Sequence, residues 1–135
     1  EAYTKSEDFK INLSWDPLEV QPEIPTNFIF TIRDARTNEP LRNSDYTFVL
    51  IQNGNEIYRT TGLAQVGGEF EKFTFSEEQT GPTIIKFENI RNTGQETEFS
   101  LVVVPEFGSI VLLILVTSII GVIFVTRQNS FRFTV

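Results

Sequence analysis

The sequence predicts an all-β sandwich followed by one C-terminal membrane-spanning helix. Three observations carry that prediction: short runs of alternating apolar residues before residue 105, thirteen phenylalanines spread along the chain, and twenty consecutive uncharged residues from Phe107 to Thr126. The first two describe a core between two sheets. The third describes a segment that changes solvent.

Taken in order, Phe9, Ile11, Leu13 and Trp15 alternate with Lys10, Asn12 and Ser14, the period of two that buries one face of a strand. Phe28, Phe30 and Ile32 repeat the pattern around Ile29 and Thr31. The run Tyr46-Thr47-Phe48-Val49-Leu50-Ile51 is apolar on both faces and is expected to be an interior strand. Asn53-Gly54-Asn55 then predicts a hairpin into Glu56–Thr60, because Asn and Gly accept the positive φ of tight turns. Further strands are expected over Glu69–Phe75, Thr83–Phe87 and Thr97–Val104, about seven in all at sandwich-like spacing. Pro17, Pro22 and Pro25 interrupt the chain after the first strand; with no ladder donor there, the segment is expected to cross from one sheet to the other.

The last strand, Leu101-Val102-Val103-Val104, is apolar on both faces and leads directly into Pro105. One face belongs to the core. The other, carrying Val102 and Val104 as candidate partner-facing residues, is open to lipid headgroups, to a partner subunit or to cover by nearby loops.

As a helix, residues 107–126 would extend roughly 30 Å at about 1.5 Å per residue, the thickness of a bilayer's hydrocarbon core. Glu106 precedes the run, and Arg127 and Arg132 follow it, so the short tail is expected on the cytoplasmic side and the acidic domain outside. Thr117 and Gly121, four residues apart, share one helical face and are the candidate helix-packing pair. The absence of Met fits a mature exported chain whose leader has been removed. The expected organisation is an extracytoplasmic sandwich over 1–104, an anchoring helix over 105–126 and a cytoplasmic tail over 127–135.

Composition narrows the function. The chain has no His and no Cys, so it lacks the usual ligands for zinc, copper, haem or iron–sulfur groups and the parts of the commonest nucleophilic dyads and triads. All 18 acidic residues lie at or before Glu106, together with nine bases, a formal −9 that disfavours nucleic acid. Glu77-Glu78 and Glu96 with Glu98 are carboxylate pairs, but paired Glu at strand edges is ordinary solvated surface. Asp34 with Asn38, Asn43 with Asp45, and Asn53 with Asn55 lack the spacing of a calcium loop and read as turn residues. No enzyme activity, cofactor, metal, nucleic acid or small-molecule substrate is expected. Asn12-Leu13-Ser14 is an N-glycosylation sequon that places Asn12 on the outward face of the first strand.

Pro105-Glu106-Phe107-Gly108, followed at once by the apolar run and then Arg127, resembles the PEFG-CTERM sorting signal of archaeal exported proteins. The likeness covers about thirty residues, and the basic flank here is only Arg127 and Arg132. It implies recognition by a membrane-embedded archaeosortase and places Pro105, Glu106, Phe107 and Gly108 in the sorting motif. The stretch Asp34–Leu41 and the strands after it look like the immunoglobulin-like domains that precede such tails. The resemblance further implies an accessory, non-catalytic subunit of an archaeal membrane complex, with ammonia monooxygenase as a named example. Its partners would be other membrane subunits and the bilayer. The alternative it implies is a cell-surface or envelope protein released from its tail by sorting.

Overall fold

The computed structural model describes residues 2–4 and 7–105, which belong to the unit Glu1–Pro105. Eight strands form two four-stranded antiparallel sheets: β1 (Ala2–Tyr3), β2 (Phe9–Asp16), β3 (Thr26–Asp34), β4 (Ser44–Gln52), β5 (Asn55–Ala64), β6 (Gly68–Phe73), β7 (Gly81–Glu88) and β8 (Thr97–Val103). The first sheet has the order β1-β2-β3-β6 and the second β5-β4-β7-β8. The only helical element among the described residues is a 3-10 turn over Ile90–Asn92, and no described helix is long and apolar enough to cross a membrane. The anticipated span, with Thr117 and Gly121, and the motif residues Glu106, Phe107 and Gly108 lie outside the described residues.

The two sheets face each other across a phenylalanine-rich core. Phe28 and Phe30 of β3 meet Phe48 of β4 and Phe87 of β7, with ring centroids 5.4 Å apart for Phe28–Phe48 and 4.7 Å for Phe30–Phe87. Tilted and edge-on geometries predominate, as the ring quadrupole favours. Ile11, Ile32, Leu50 and Ile85 fill the space around them, and all are fully buried. These residues recur every second position in their strands, so the period of two read in the sequence is the period of the core.

Strand β4 is interior, paired with β5 on one side and β7 on the other, as its doubly apolar pattern requires. Asn53 and Gly54 form the two-residue turn to β5 with φ of 52° and 75°, both positive, which matches the twist of the flanking strands. The sheets are also tied by polar contacts. The Tyr46 hydroxyl on β4 donates to Glu71 Oε1 on β6 at 2.6 Å, and burial together with that carboxylate pushes the phenol's pKa up. Gly62 on β5 makes room for this contact, since a Cβ there would collide with the Tyr46 hydroxyl and ring.

One expectation is corrected. The proline-rich segment 17–25 does not carry the chain to the other sheet: β2 and β3, on either side of it, pair antiparallel from Phe9↔Asp34 to Asp16↔Asn27. Instead it bulges sideways to the open flank of the sandwich. There Val20, fully buried, makes a parallel bridge to Val103, its carbonyl accepts the Val104 N–H at 2.8 Å, and the Glu23 N–H donates to the Phe75 carbonyl. Prolines prevent a continuous ladder, yet the carbonyl and side chain of Val20 remain free to plug the gap. The eighth strand, β1, is the short pairing of Ala2–Tyr3 with Lys10–Ile11, too brief to leave a periodic signature.

Candidate docking surface

Strand β8 carries the candidate partner-facing residues Val102 and, just beyond its end, Val104. It is the edge of its sheet, and its alternation turns Leu101 and Val103 into the core while Val102 faces outward at 60% exposure. Val104, the other expected contact residue, is half-buried because its N–H is held by Val20. Pro105, the last described residue, is exposed.

The register shows what surrounds Val102. Pro82 on β7 lies opposite it, and Ile84 lies opposite Ser100 on β8 and Ile51 on β4. Ile51, Pro82, Ile84 and Val102 therefore form one apolar patch on the outer face of the second sheet, lining a shallow concavity beside the Asn53-Gly54 turn. Exposed apolar area of this kind commonly marks a contact surface.

The other half of the same face is ionic. Arg59 on β5 donates to Glu56 Oε1 at 2.6 Å and to Glu88 Oε2 at 2.9 Å, while Lys86 Nζ lies 3.5 Å from Glu88 and 3.3 Å from Glu96. Hydrogen bonding from Arg59, aided by the nearby Lys86, holds the Glu88 carboxyl below the usual carboxylate range against a smaller burial effect. Burial works against the Lys86 charge, but Glu96 and Glu88 outweigh it and raise its pKa. Beneath this network lies Val49, in register with both Arg59 and Lys86 and completely buried although it points away from the core. The aliphatic stems of the two cations are placed to roof it over.

The remaining sites read from the sequence are dispersed. Glu77 and Glu78 sit in a turn closed by Gln79 N–H donating to Ser76 O, whereas Glu96 immediately precedes β8 and Glu98 is its second residue. The Asp34 carboxylate accepts the backbone N–H groups of Thr37 and Arg36, which lower its pKa and mark an Asx turn. Asp45 accepts from the Asn92 side chain at 3.2 Å. No group of three or more potential metal ligands occurs among the described residues. Asn12 lies on the outer face of the first sheet, opposite Thr31.

Sequence reading named Val102, which is exposed, but not Ile51, Pro82 and Ile84 beside it. The signal was present in Ile51 and Ile84, members of runs that are apolar on both faces, but only the strand register brings them together. The chain matches no family model and no curated protein.

Proposed function

We propose that this chain is a non-catalytic accessory subunit of an archaeal membrane protein complex, an immunoglobulin-like module tethered by its C-terminal apolar segment. The observation that carries this reading is the apolar patch Ile51–Pro82–Ile84–Val102, set on the strand whose C-terminal end continues into the twenty-residue apolar run. A contact surface that includes the strand preceding the apolar run in the chain suits docking onto a neighbouring subunit's extracytoplasmic side. In this reading Thr117 and Gly121 pack against a helix of that neighbour.

The strand order supports the immunoglobulin-like assignment. If β2 to β8 are taken as seven successive strands, the first, second and fifth share one sheet, and the fourth, third, sixth and seventh share the other. That order is compatible with an immunoglobulin-like Greek key whose fourth strand has joined the other sheet, in a chain with no Cys for a disulfide. The tail's resemblance makes ammonia monooxygenase the first assembly to examine, with this chain in a scaffolding role.

Native mass spectrometry of particles extracted from the source membranes in mild detergent tests the proposal. An intact 15.4 kDa chain released from a particle of fixed stoichiometry is the expected result. A lipid-linked form ending near Pro105 would replace it with the reading of a sorted envelope protein.

A further inference from the structure

The outer face of the first sheet has a relief that the docking surface lacks. In strand register, Asn12 on β2, Thr31 on β3 and Gly68 on β6 form one row across it, all small or medium side chains. The row on one side, Ser14–Ile29–Phe70, rises to two large apolar residues, Ile29 at 49% and Phe70 at 59% exposure. The row on the other side begins with Lys10 and Arg33. A concavity on β3 and β6 is lined by Asn27, Ile29, Thr31, Gly68, Phe70 and Lys72.

This face also carries hydrogen-bonding capacity that the protein does not use. Asn12 Oδ1, Asn27 Oδ1 and Arg33 Nε are buried atoms without a partner among the described residues, and all three side chains belong to this sheet face. The apolar wall suits the C–H face of a sugar ring. Asn12, in its Asn12-Leu13-Ser14 sequon, lies beside the concavity as the cross-strand partner of Thr31, with its carboxamide oxygen buried.

We propose that Asn12 carries an N-linked oligosaccharide whose first sugars lie across the neighbouring Thr31 and the apolar Ile29–Phe70 row. In forming the link, Asn12 Nδ2 bonds to C1 of an oligosaccharide donated by a polyprenyl-phosphate carrier. The C1–O bond to the phosphate breaks, the phosphate keeps the bonding pair, and Nδ2 gives up one proton to solvent. The attached glycan covers the exposed Ile29 and Phe70, leaving the opposite sheet as the face available for docking.

Glycopeptide mass spectrometry of the full chain from its own membranes tests the attachment, and NMR contacts between sugar C–H groups and the Phe70 ring test the placement. The expected result is a saccharide on the Asn12 peptide, lost completely in Ser14→Ala and in Asn12→Gln, with contacts to Phe70 that Phe70→Ala abolishes while attachment persists. An unmodified Asn12 overturns the proposal, as does a glycan that makes no contact with Phe70 or Ile29. Neither outcome touches the docking reading, which rests on the other sheet and is read by subunit stoichiometry.

Discussion

The outer faces of the two sheets solve the same problem in opposite ways. Both are formed by antiparallel strands whose inner residues share one core, yet the second sheet buries an outward valine completely whereas the first leaves a phenylalanine more than half exposed. Val49 is hidden because its cross-strand neighbours, Arg59 and Lys86, are long, cationic and paired with the carboxylates of Glu88 and Glu96. Phe70 has Ile29 beside it and sits on the edge strand β6, with no strand beyond to supply cover. Side-chain burial on a sheet's solvent face is thus set by cross-strand partners more than by hydrophobicity.

Substitutions sharpen this contrast when placed on a common scale of chemical denaturation of the full chain. The largest effect belongs to the shared core: Phe87→Ala, which removes a fully buried ring touching Phe30, Phe48 and Phe99, should cost about 3–5 kcal/mol. On the outer faces the order of side-chain size is expected to invert. Val49→Ala should cost about 1.5 kcal/mol, at about 0.8 kcal/mol for each methyl-sized group removed, whereas Phe70→Ala should stay within about 0.5 kcal/mol. Equal losses at the two positions would show that the ionic roof over Val49 contributes nothing to its burial.

The roof itself has a pH signature. Glu88 titrates below the usual carboxylate range in the folded chain, so the stabilisation from its ion pairs is complete above the unfolded value of about 4.3 and is lost as pH falls through the folded value. Its partners are partly solvated, so Glu88→Gln should cost at most about 1 kcal/mol at neutral pH and flatten the stability profile below pH 5. A profile identical to that of the unsubstituted chain would remove the network from the account of face two. Asp34 contributes in the same direction through its turn.

The smallest expected effect on stability accompanies a large one on association. Val102→Asp places a carboxylate on an already exposed position and should leave the unfolding midpoint unchanged within about 0.5 kcal/mol. Co-purification with the proposed partner subunit should nevertheless fall to background. Retention of the partner by this variant would move the docking surface away from β8.

Much of the fold was legible because alternation is a local property. The core residues of β2, β3, β4 and β7 sit at the spacing the sequence displays, and Asn53-Gly54 marks its turn through the φ values those residues tolerate. The path of segment 17–25 was misjudged for a physical reason. Three prolines report where a ladder cannot form, but they do not report that Val20 finds its partner at Val103, more than eighty positions away. The docking surface was half legible: Val102 stands out beside Pro105, while Pro82 and Ile84 join it only through pairing.

What the sequence determined by itself is therefore a set of chemical boundaries and local periods. The absence of His and Cys removes the commonest catalytic and metal chemistry, the run from Phe107 to Thr126 carries no charge, and the period of two divides each strand into faces. Tertiary structure decided which face turns inward and which strands become neighbours. Phe70 and Phe73 show the limit: three positions apart on β6, they must point to opposite sides, and nothing local distinguishes them. Pairing with β3 settles it by turning Phe73 toward the core, against Tyr58 and Phe75, and Phe70 toward solvent. A strand's side chains alternate by covalent geometry, but burial is a free energy of contact, and contacts belong to residues far apart in the chain.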